Sequence, residues 1–213
     1  IHIIDKENTG VSDSRNVAMA AATGTYLQFM DSDDWLTPDA TESLAEAARA
    51  DDCDLVVADF YRVNGKRYVE KKHIKKTHVM TREEFAMEMA KDPADYYYGV
   101  MWNKLYRKSI LLEHQIWCDT TMNWCEDFVL NLQMIRHAER FRALQKPIYY
   151  YMKRKGSLVS TEAVSTEAVK VKFELLEKYK DLYQSMGLYE EHKLKINSYI
   201  LAVAKDGAAG RMY

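Results

Sequence analysis

A short apolar run that ends in a cluster of carboxylates constrains this chain more than any other feature. Residues 26–30 read Tyr-Leu-Gln-Phe-Met, and three aspartates follow within four positions, at Asp31, Asp33 and Asp34. The run is typical of a buried strand, and a Gly-Thr pair before it favours a turn. We therefore predict a central strand over residues 26–30 with the acidic turn at its carboxyl end, where open α/β sheets bind their ligands.

The acidic turn has two interpretations at this stage. Two like charges about 4 Å apart repel by about 1 kcal/mol even in water, so three together favour a bound cation. Carboxylate oxygens suit Mg²⁺ or Mn²⁺, especially when the ion is shared with a substrate phosphate. Alternatively, the aspartates and Ser32 are turn and capping residues ahead of the helix start at Thr37-Pro38.

Composition bounds the class of protein. With 213 residues the chain is expected to form one domain with an appendage. A net charge of −2 gives no bulk signature of a nucleic-acid-binding protein. The three cysteines form no even framework and no C-x-x-C pair, which indicates free thiols in a reducing compartment. No apolar run approaches the roughly 18 residues that a membrane-spanning helix requires, and no signal peptide is visible.

Further along, the sequence alternates helix and strand signals. An Asn64-Gly65 pair predicts a β-hairpin whose Lys-rich return strand is an exposed edge. Thr81 with Glu84 three residues later predicts a capping box. Other expected elements are helices over 11–22 and from residue 38, a strand over 55–61, a helix after 127, a strand over 148–152, and two helices after residue 166.

Two further stretches allow both structural and functional interpretations. Residues 96–106 contain four tyrosines and a tryptophan, which could form core or a stacking surface for a sugar; composition alone favours core. Glu126-Asp127 begins a helix pattern, and acidic residues are common at a helix N-terminus for electrostatic reasons alone.

Taken together and in order, these motifs resemble the family 2 glycosyltransferases. The family pattern N-x-G-x-S-x-x-R-N is similar to residues 8–16, and A-x-G-x-Y-(I/L)-x-F-x-D-S-D-D-W is similar to residues 22–35. Later segments resemble the family's N-K-L-(Y/F) motif at residues 103–106, its E-D motif at residues 126–127, and its closing aromatic, basic and serine segment at residues 149–157. Each motif is weak alone, but five in the right order are specific.

The resemblance implies an α/β fold of the GT-A type, a Rossmann-like mixed sheet flanked by helices. We expect a partial glycosyltransferase domain over residues 1–158 and a C-terminal helical appendage over residues 159–213. Such enzymes usually open with two more strands, the second ending in D-D-G-S, which hold the nucleotide base and ribose. Because this chain begins with Ile1 at the position of the third strand, we expect an N-terminally truncated domain that lacks half of the donor site.

The resemblance also implies a reaction, the inverting transfer of a sugar from a nucleoside diphosphate, with UDP favoured, to a glycan or lipid-linked acceptor hydroxyl. Asp33 and Asp31 would bind the metal, and Asp127 would be the catalytic base, with Glu126 as second choice. The implied donor-binding residues are Arg15, Asp31, Ser32, Asp33, Arg154 and Ser157. The implied acceptor-binding residues are Trp102, Asn103, Lys104 and Trp124, with a solvated surface lysine as the alternative for Lys104.

The expected setting is cell-surface polysaccharide synthesis at the cytoplasmic side, with the inner face of the cell membrane as one location. Peripheral membrane association and a homo-oligomer remain open. No nucleic-acid partner is expected. The alternative function is a catalytically inert fragment or acceptor-binding module.

Overall fold

The computed structural model describes residues 1–93, 95–122, 124–152 and 166–209. Strands and helices alternate through the first part of the chain, and helices alone make up its end. In order, these elements are α1 (Val11–Ala21), β1 (Tyr26–Gln28), β2 (Trp35–Leu36), α2 (Ala40–Ala50), β3 (Leu55–Asn64), β4 (Arg67–Lys71), α3 (Arg82–Met89), α4 (Tyr96–Gly99), β5 (Lys104–Arg107), α5 (Lys108–Glu113), α6 (Glu126–His137), β6 (Phe141–Met152), α7 (Thr166–Ser185) and α8 (Tyr189–Ala209).

One mixed sheet organises the domain, with strand order β1-β5-β3-β6-β2 and β4 added beside β3. Strands β3 and β6 pair in parallel, and the other pairs are antiparallel. The first six residues of β3, Leu55–Phe60, are all buried. A continuous buried run of this kind is typical of a strand covered on both faces, so β3 is the centre of the sheet.

The prediction of a central strand over residues 26–30 is wrong. The strand ends at Gln28 and lies at the edge of the sheet, where it pairs with β5 and with no other described strand. Met30, in the predicted strand, is 51% exposed. An apolar run specifies a strand, but the order of strands depends on pairing between residues about eighty positions apart, and a local pattern contains no information on that pairing.

The hairpin and the capping box are confirmed. Asn64 pairs with Arg67, and Gly65 between them has a φ of 60°, a left-handed conformation that glycine adopts without steric cost. The return strand β4 is exposed along its first four residues, as expected of an edge. The Thr81 side chain accepts from the backbone N–H of Glu84, and the Glu84 carboxylate accepts from that of Thr81.

The helical C-terminal region is confirmed as well, and α7 packs onto the rest of the domain. The hydroxyl of Tyr183 donates to the carbonyl of Ala86 in α3 at 2.6 Å. The ring of Tyr179 lies 6.3 Å from that of Phe128 in α6. These tyrosines are fully buried, so α7 shares the core of the sheet domain. The predicted boundary at residues 158 and 159 lies outside the described residues and stays a prediction.

Candidate active site

The acidic turn is held by a tyrosine on β6. The backbone N–H of Asp34 donates to the carbonyl of Asp31 at 3.3 Å, which closes a tight turn between β1 and β2. The hydroxyl of Tyr149 accepts from the Asp31 backbone N–H at 3.1 Å and donates to a carboxylate oxygen of Asp34 at 2.9 Å. The same Asp34 carboxylate accepts from the backbone N–H of Met152 at 2.8 Å. Asp34 is therefore the residue that anchors the turn to the sheet.

The four residues of the turn divide by exposure. Asp34 is 7% exposed, and its burial raises the pKa of the carboxyl to about 6. Ser32 and Asp33 are exposed, and Asp31 is half-buried. The turn thus buries one carboxylate as its support and presents Asp31 and Asp33 towards solvent, where a ligand can reach them.

A single arginine connects the acidic turn to the Glu-Asp pair far along the chain. One terminal nitrogen of Arg15 lies 3.2 Å from a carboxylate oxygen of Asp31, and the other lies 2.7 Å from an oxygen of Glu126. The Arg15 side chain is 18% exposed and that of Glu126 is 12% exposed. Burial opposes the charge of Arg15, but the carboxylates of Asp31, Glu126 and Asp127 outweigh it, so its pKa is raised.

Helix α1, which contains Arg15, is held in place by a contact with a distant segment of the chain. The Asn16 side chain donates to the backbone carbonyl of Cys118 at 2.9 Å and accepts from the Cys118 N–H at 2.8 Å. This paired contact fixes α1 against the segment that precedes α6. The acidic turn and the Glu-Asp pair, far apart in the sequence, are therefore brought together, with Arg15 between them.

Asp127 lies in the first turn of α6, and we call the space between this helix start and the acidic turn, spanned by Arg15, the recess. It is half-buried, and one of its oxygens accepts from the Phe128 backbone N–H at 2.8 Å. Burial raises the pKa of Asp127 to about 7, and the charge of Glu126 adds to the rise, while Arg15 opposes it. A carboxylate that titrates near neutrality can take up a proton at physiological pH, which is the property of a general base.

The predicted acceptor residues on the aromatic segment are placed in the core, which corrects three assignments. Trp102 is 3% exposed and stacks on Tyr149 with ring centroids 4.3 Å apart. Asn103 is fully buried and donates to the carbonyls of Ala58 at 3.1 Å and Tyr97 at 3.2 Å. Side chains buried to this degree cannot contact an acceptor, so both residues belong to the core.

Lys104 is neither an acceptor contact nor the surface lysine of the alternative interpretation, because it is 1% exposed. Its ammonium group donates to the carbonyls of Tyr97 at 2.9 Å and Val100 at 2.5 Å and to the Asn103 side chain at 2.8 Å. Three acceptors satisfy its three N–H groups, and burial lowers the pKa of Lys104 to about 7. The sequence contained no signal for this role.

The remaining predicted positions fall at the edge of the described structure. Trp124 is half-buried just ahead of α6, with the ammonium group of Lys172 lying 5.8 Å from the ring centroid. Arg154 and Ser157, predicted to close over the diphosphate, lie outside the described residues, and their roles stay predictions. In addition, Tyr96 and Tyr151 lie half-buried beside Trp102, with their ring centroids 5.3 Å apart. Both belong to segments that the sequence singled out, residues 96–106 as core or a sugar-stacking surface and residues 149–157 as an aromatic motif.

The accessible carboxylates of the acidic turn have the chemistry of ligands for a divalent cation that is shared with substrate phosphates. One or two carboxylates suffice for Mg²⁺ when substrate phosphates and water supply the other oxygens, and Asp31 and Asp33 are the accessible pair. Among the described residues, three ligand atoms within 4.8 Å of one another occur at His73, Asp92 and Asp95 and not at the acidic turn. A cation held by these two carboxylates would need further oxygen ligands from outside the turn.

The mixed sheet flanked by helices has the GT-A-type fold of solved glycosyltransferase structures. The model of Glycosyl transferase family 2 matches residues 1–114, more than half of the 213 residues. The chain therefore belongs to glycosyl transferase family 2.

Curated relatives and solved structures agree with this assignment. The chain is 29% identical over 160 residues to the uncharacterized glycosyltransferase EpsJ of Bacillus subtilis, covering 74% of the chain and 46% of EpsJ. It is 27% identical over 165 residues to the poly(ribitol-phosphate) beta-N-acetylglucosaminyltransferase TarS of Staphylococcus aureus, covering 77% of the chain and 27% of TarS. The crystal structure of S. aureus TarS 1-349 in complex with UDP-GlcNAc matches with a TM-score of 0.66 at 20% identity, covering 97% of this chain and 65% of that one.

The chain spans about half the length of curated relatives that it matches, 46% of EpsJ and 57% of the putative glycosyltransferase EpsH of B. subtilis. Within the described part of the chain, no helix combines the length and the apolar character needed to cross a membrane.

Proposed function

We propose that this chain is the acceptor-side part of an inverting, metal-dependent glycosyltransferase that moves a sugar from a UDP-sugar to a glycan or lipid-linked hydroxyl in cell-surface polysaccharide synthesis. The observation that carries the proposal is the Arg15 bridge, which brings the acidic turn and the Glu-Asp pair together in one recess. Membership of the family and the likeness to TarS support the reaction class.

The donor diphosphate is the group that the acidic turn would recognise. Asp31 and Asp33 would hold Mg²⁺ or Mn²⁺, which neutralises the charge that develops on the leaving diphosphate. Asp34 keeps the turn rigid through Tyr149 and Met152. Ser32, which is exposed between Asp31 and Asp33, would be a further donor contact. Arg15 contacts Asp31 of this turn, and its bonds to two carboxylates would have to rearrange for it to reach a phosphate.

The acceptor hydroxyl needs a base on the side of the sugar opposite the leaving group. Asp127 would accept the hydroxyl proton as the acceptor oxygen forms its bond to the anomeric carbon and the bond to the diphosphate breaks. Glu126 and Arg15 would act on Asp127 through charge, setting the pH at which its carboxylate is ionised. Tyr96, Tyr151 and Trp124, which are all half-buried, would be the aromatic contacts of an acceptor sugar.

A screen of common sugar nucleotides tests the proposal, with release of the nucleoside diphosphate as the readout and the protein that carries this chain as the enzyme. We expect turnover with a UDP-sugar in Mn²⁺ and its loss on Asp33→Asn. Asp39→Asn is the matched control, since Asp39 is an acidic residue beyond the turn that pairs with Lys146. Equal turnover in a chelator would exclude the metal role, and absence of turnover with every donor would favour the inert, acceptor-binding module.

A further inference from the structure

Helix α2 covers only part of one face of the sheet, and an aromatic surface lies on the part of that face beyond the helix. The two ends of α2 are tied to β6 by ion pairs, Asp51 to Arg142 and Asp39 to Lys146. Strand β6 continues beyond this second contact, to Met152. Ile148 is fully buried, whereas Tyr150, two residues on and on the same face of the strand, lies past the end of the helix and is only half-buried.

Four rings assemble at this uncovered end, one from each of four strands. Tyr61 stacks on Tyr150 with centroids 4.8 Å apart, Trp35 lies 5.8 Å from Tyr150, and Tyr68 meets Tyr61 edge-on at 5.3 Å. Trp35 is 46% exposed and Tyr68 is 64% exposed. We call these four residues the aromatic patch. Tyr61 and Tyr150 are half-buried. A contiguous group of rings that reaches the surface marks an interaction site more than a scatter of single apolar residues does.

The hairpin formed by β3 and β4 adds positive charge beside the patch. Residues 61–71, which comprise its turn and the strand segments that flank the turn, contain four lysines and arginines and one acidic residue, Glu70, in a chain whose net charge is −2. Lys66 and Arg67, at the turn, are exposed. A surface of this charge favours an anionic partner.

The hairpin presents apolar side chains on both of its faces. This arrangement distinguishes between two anionic partners, a glycan and a lipid bilayer. Tyr68 points to the face of the aromatic patch, and Val69, the next residue, points to the opposite face and is 60% exposed. A sugar ring stacks on one face of an aromatic surface. A lipid bilayer surrounds the end of a hairpin on both sides, and tryptophan and tyrosine favour its interface. Lysine and arginine beside them are attracted to anionic lipid headgroups.

We propose that the β3–β4 hairpin and the aromatic patch dock this domain on an anionic lipid bilayer surface. Trp35 follows Asp34 directly, so a docked patch would hold the acidic turn next to the membrane. A lipid-linked acceptor would reach the site from such a surface, but docking itself does not depend on the proposed transfer reaction.

Co-sedimentation with vesicles tests the proposal without any donor or metal. The probes are vesicles of phosphatidylcholine alone and of phosphatidylcholine mixed with phosphatidylglycerol. We expect binding to the mixed vesicles and little to the neutral ones. We also expect binding to fall steeply between roughly 0.1 M and 1 M salt, as the screening length drops from about 10 Å to about 3 Å.

Two variants of the hairpin locate the surface. Lys66→Ala with Arg67→Ala should weaken binding to mixed vesicles by roughly 25-fold, since each basic residue near an anionic surface is worth about fivefold. Tyr68→Ser with Val69→Ser should weaken binding to both kinds of vesicle. All four side chains are exposed, so the thermal midpoint should change little, which circular dichroism checks.

Matched controls lie on α7. Lys170→Ala with Lys178→Ala removes the same charge, and Phe173→Ser removes an aromatic side chain that is 56% exposed. These variants should bind as the parent protein does. Loss of binding in the α7 variants with retention in the hairpin variants would overturn the proposal, as would absence of binding to anionic vesicles at low salt. Binding to a soluble anionic polysaccharide in place of vesicles would also overturn it and identify the surface as a glycan site.

Discussion

Asp127 interacts with the positive charge of Arg15 and the negative charge of Glu126, and this leads to a prediction about the pH dependence of turnover. If Asp127 is the base, donor turnover rises as its carboxyl loses a proton, and the acid limb of kcat/KM lies near its pKa of about 7. Glu126 raises the pKa of Asp127 and Arg15 lowers it. Glu126→Gln should therefore move the acid limb to lower pH, and Arg15→Met should move it to higher pH.

The size of each shift follows from Coulomb's law. For an illustrative separation of about 10 Å and an effective dielectric constant of about 20, the interaction of two unit charges is about 1.7 kcal/mol, or about one pKa unit. The two variants should thus differ by about two pH units in the midpoint of the limb. Both remove one partner of the same ion pair, so damage from a broken pair alone cannot produce opposite shifts.

The assay is release of the nucleoside diphosphate, measured between about pH 5 and pH 9, since kcat/KM reports the groups of the free enzyme. The readout is the position of the limb and not its height, because either variant is expected to lower turnover. Arg107→Met is the control, since Arg107 also contacts two carboxylates, Asp52 and Asp54, away from the recess. Shifts in the same direction for both variants, or no shift in either, would refute the reasoning.

Three further predictions concern the metal, the core and the donor. Asp33→Ala should abolish Mn²⁺-dependent turnover and Asp31→Ala should reduce it severely, and full activity of either variant would exclude its role as ligand. Burial raises the pKa of Asp59, which is 1% exposed, to about 6, so its ionised form destabilises the fold. The stabilising contribution of the protonated form is present below about pH 4 and is lost as pH rises through about 6. Asp59→Asn should therefore raise the free energy of unfolding by about 1–3 kcal/mol at pH 8 and change it little at pH 4. Thermal denaturation at the two pH values measures this difference. Finally, the 213-residue chain alone should bind UDP weakly or not at all by calorimetry, and micromolar affinity would contradict the expectation that base and ribose contacts lie elsewhere.

Local patterns in the sequence predicted the parts of the fold that depend on neighbouring residues. The Asn64-Gly65 turn and the Thr81–Glu84 capping box are formed by residues within three or four positions of each other, and both are present. The two C-terminal helices were also visible from their apolar period. What failed was the position of β1, because the order of strands in a sheet is set by long-range pairing.

The site was predicted unevenly for the same reason. The motifs identified the acidic turn and the Glu-Asp pair, but the Arg15 bridge between them joins residues 111 positions apart and was not foreseen. Lys104 was misplaced because burial of a lysine is rare and depends on three acceptors that only the folded chain assembles. The Tyr149 brace of Asp34 has the same origin, a contact across 115 positions.

The central claim is that Asp127 is the base of a glycosyl transfer, and the Asp127→Asn variant tests it most directly. The change keeps the size of the side chain and removes its basicity. We predict that turnover falls by roughly 10²–10⁴, the usual contribution of general-base catalysis, while donor affinity in the protein that carries this chain changes little. Normal turnover in Asp127→Asn with an inactive Glu126→Gln would assign the role to the neighbouring carboxylate, and full turnover in both variants would contradict the account, leaving the pair as acidic residues at a helix start.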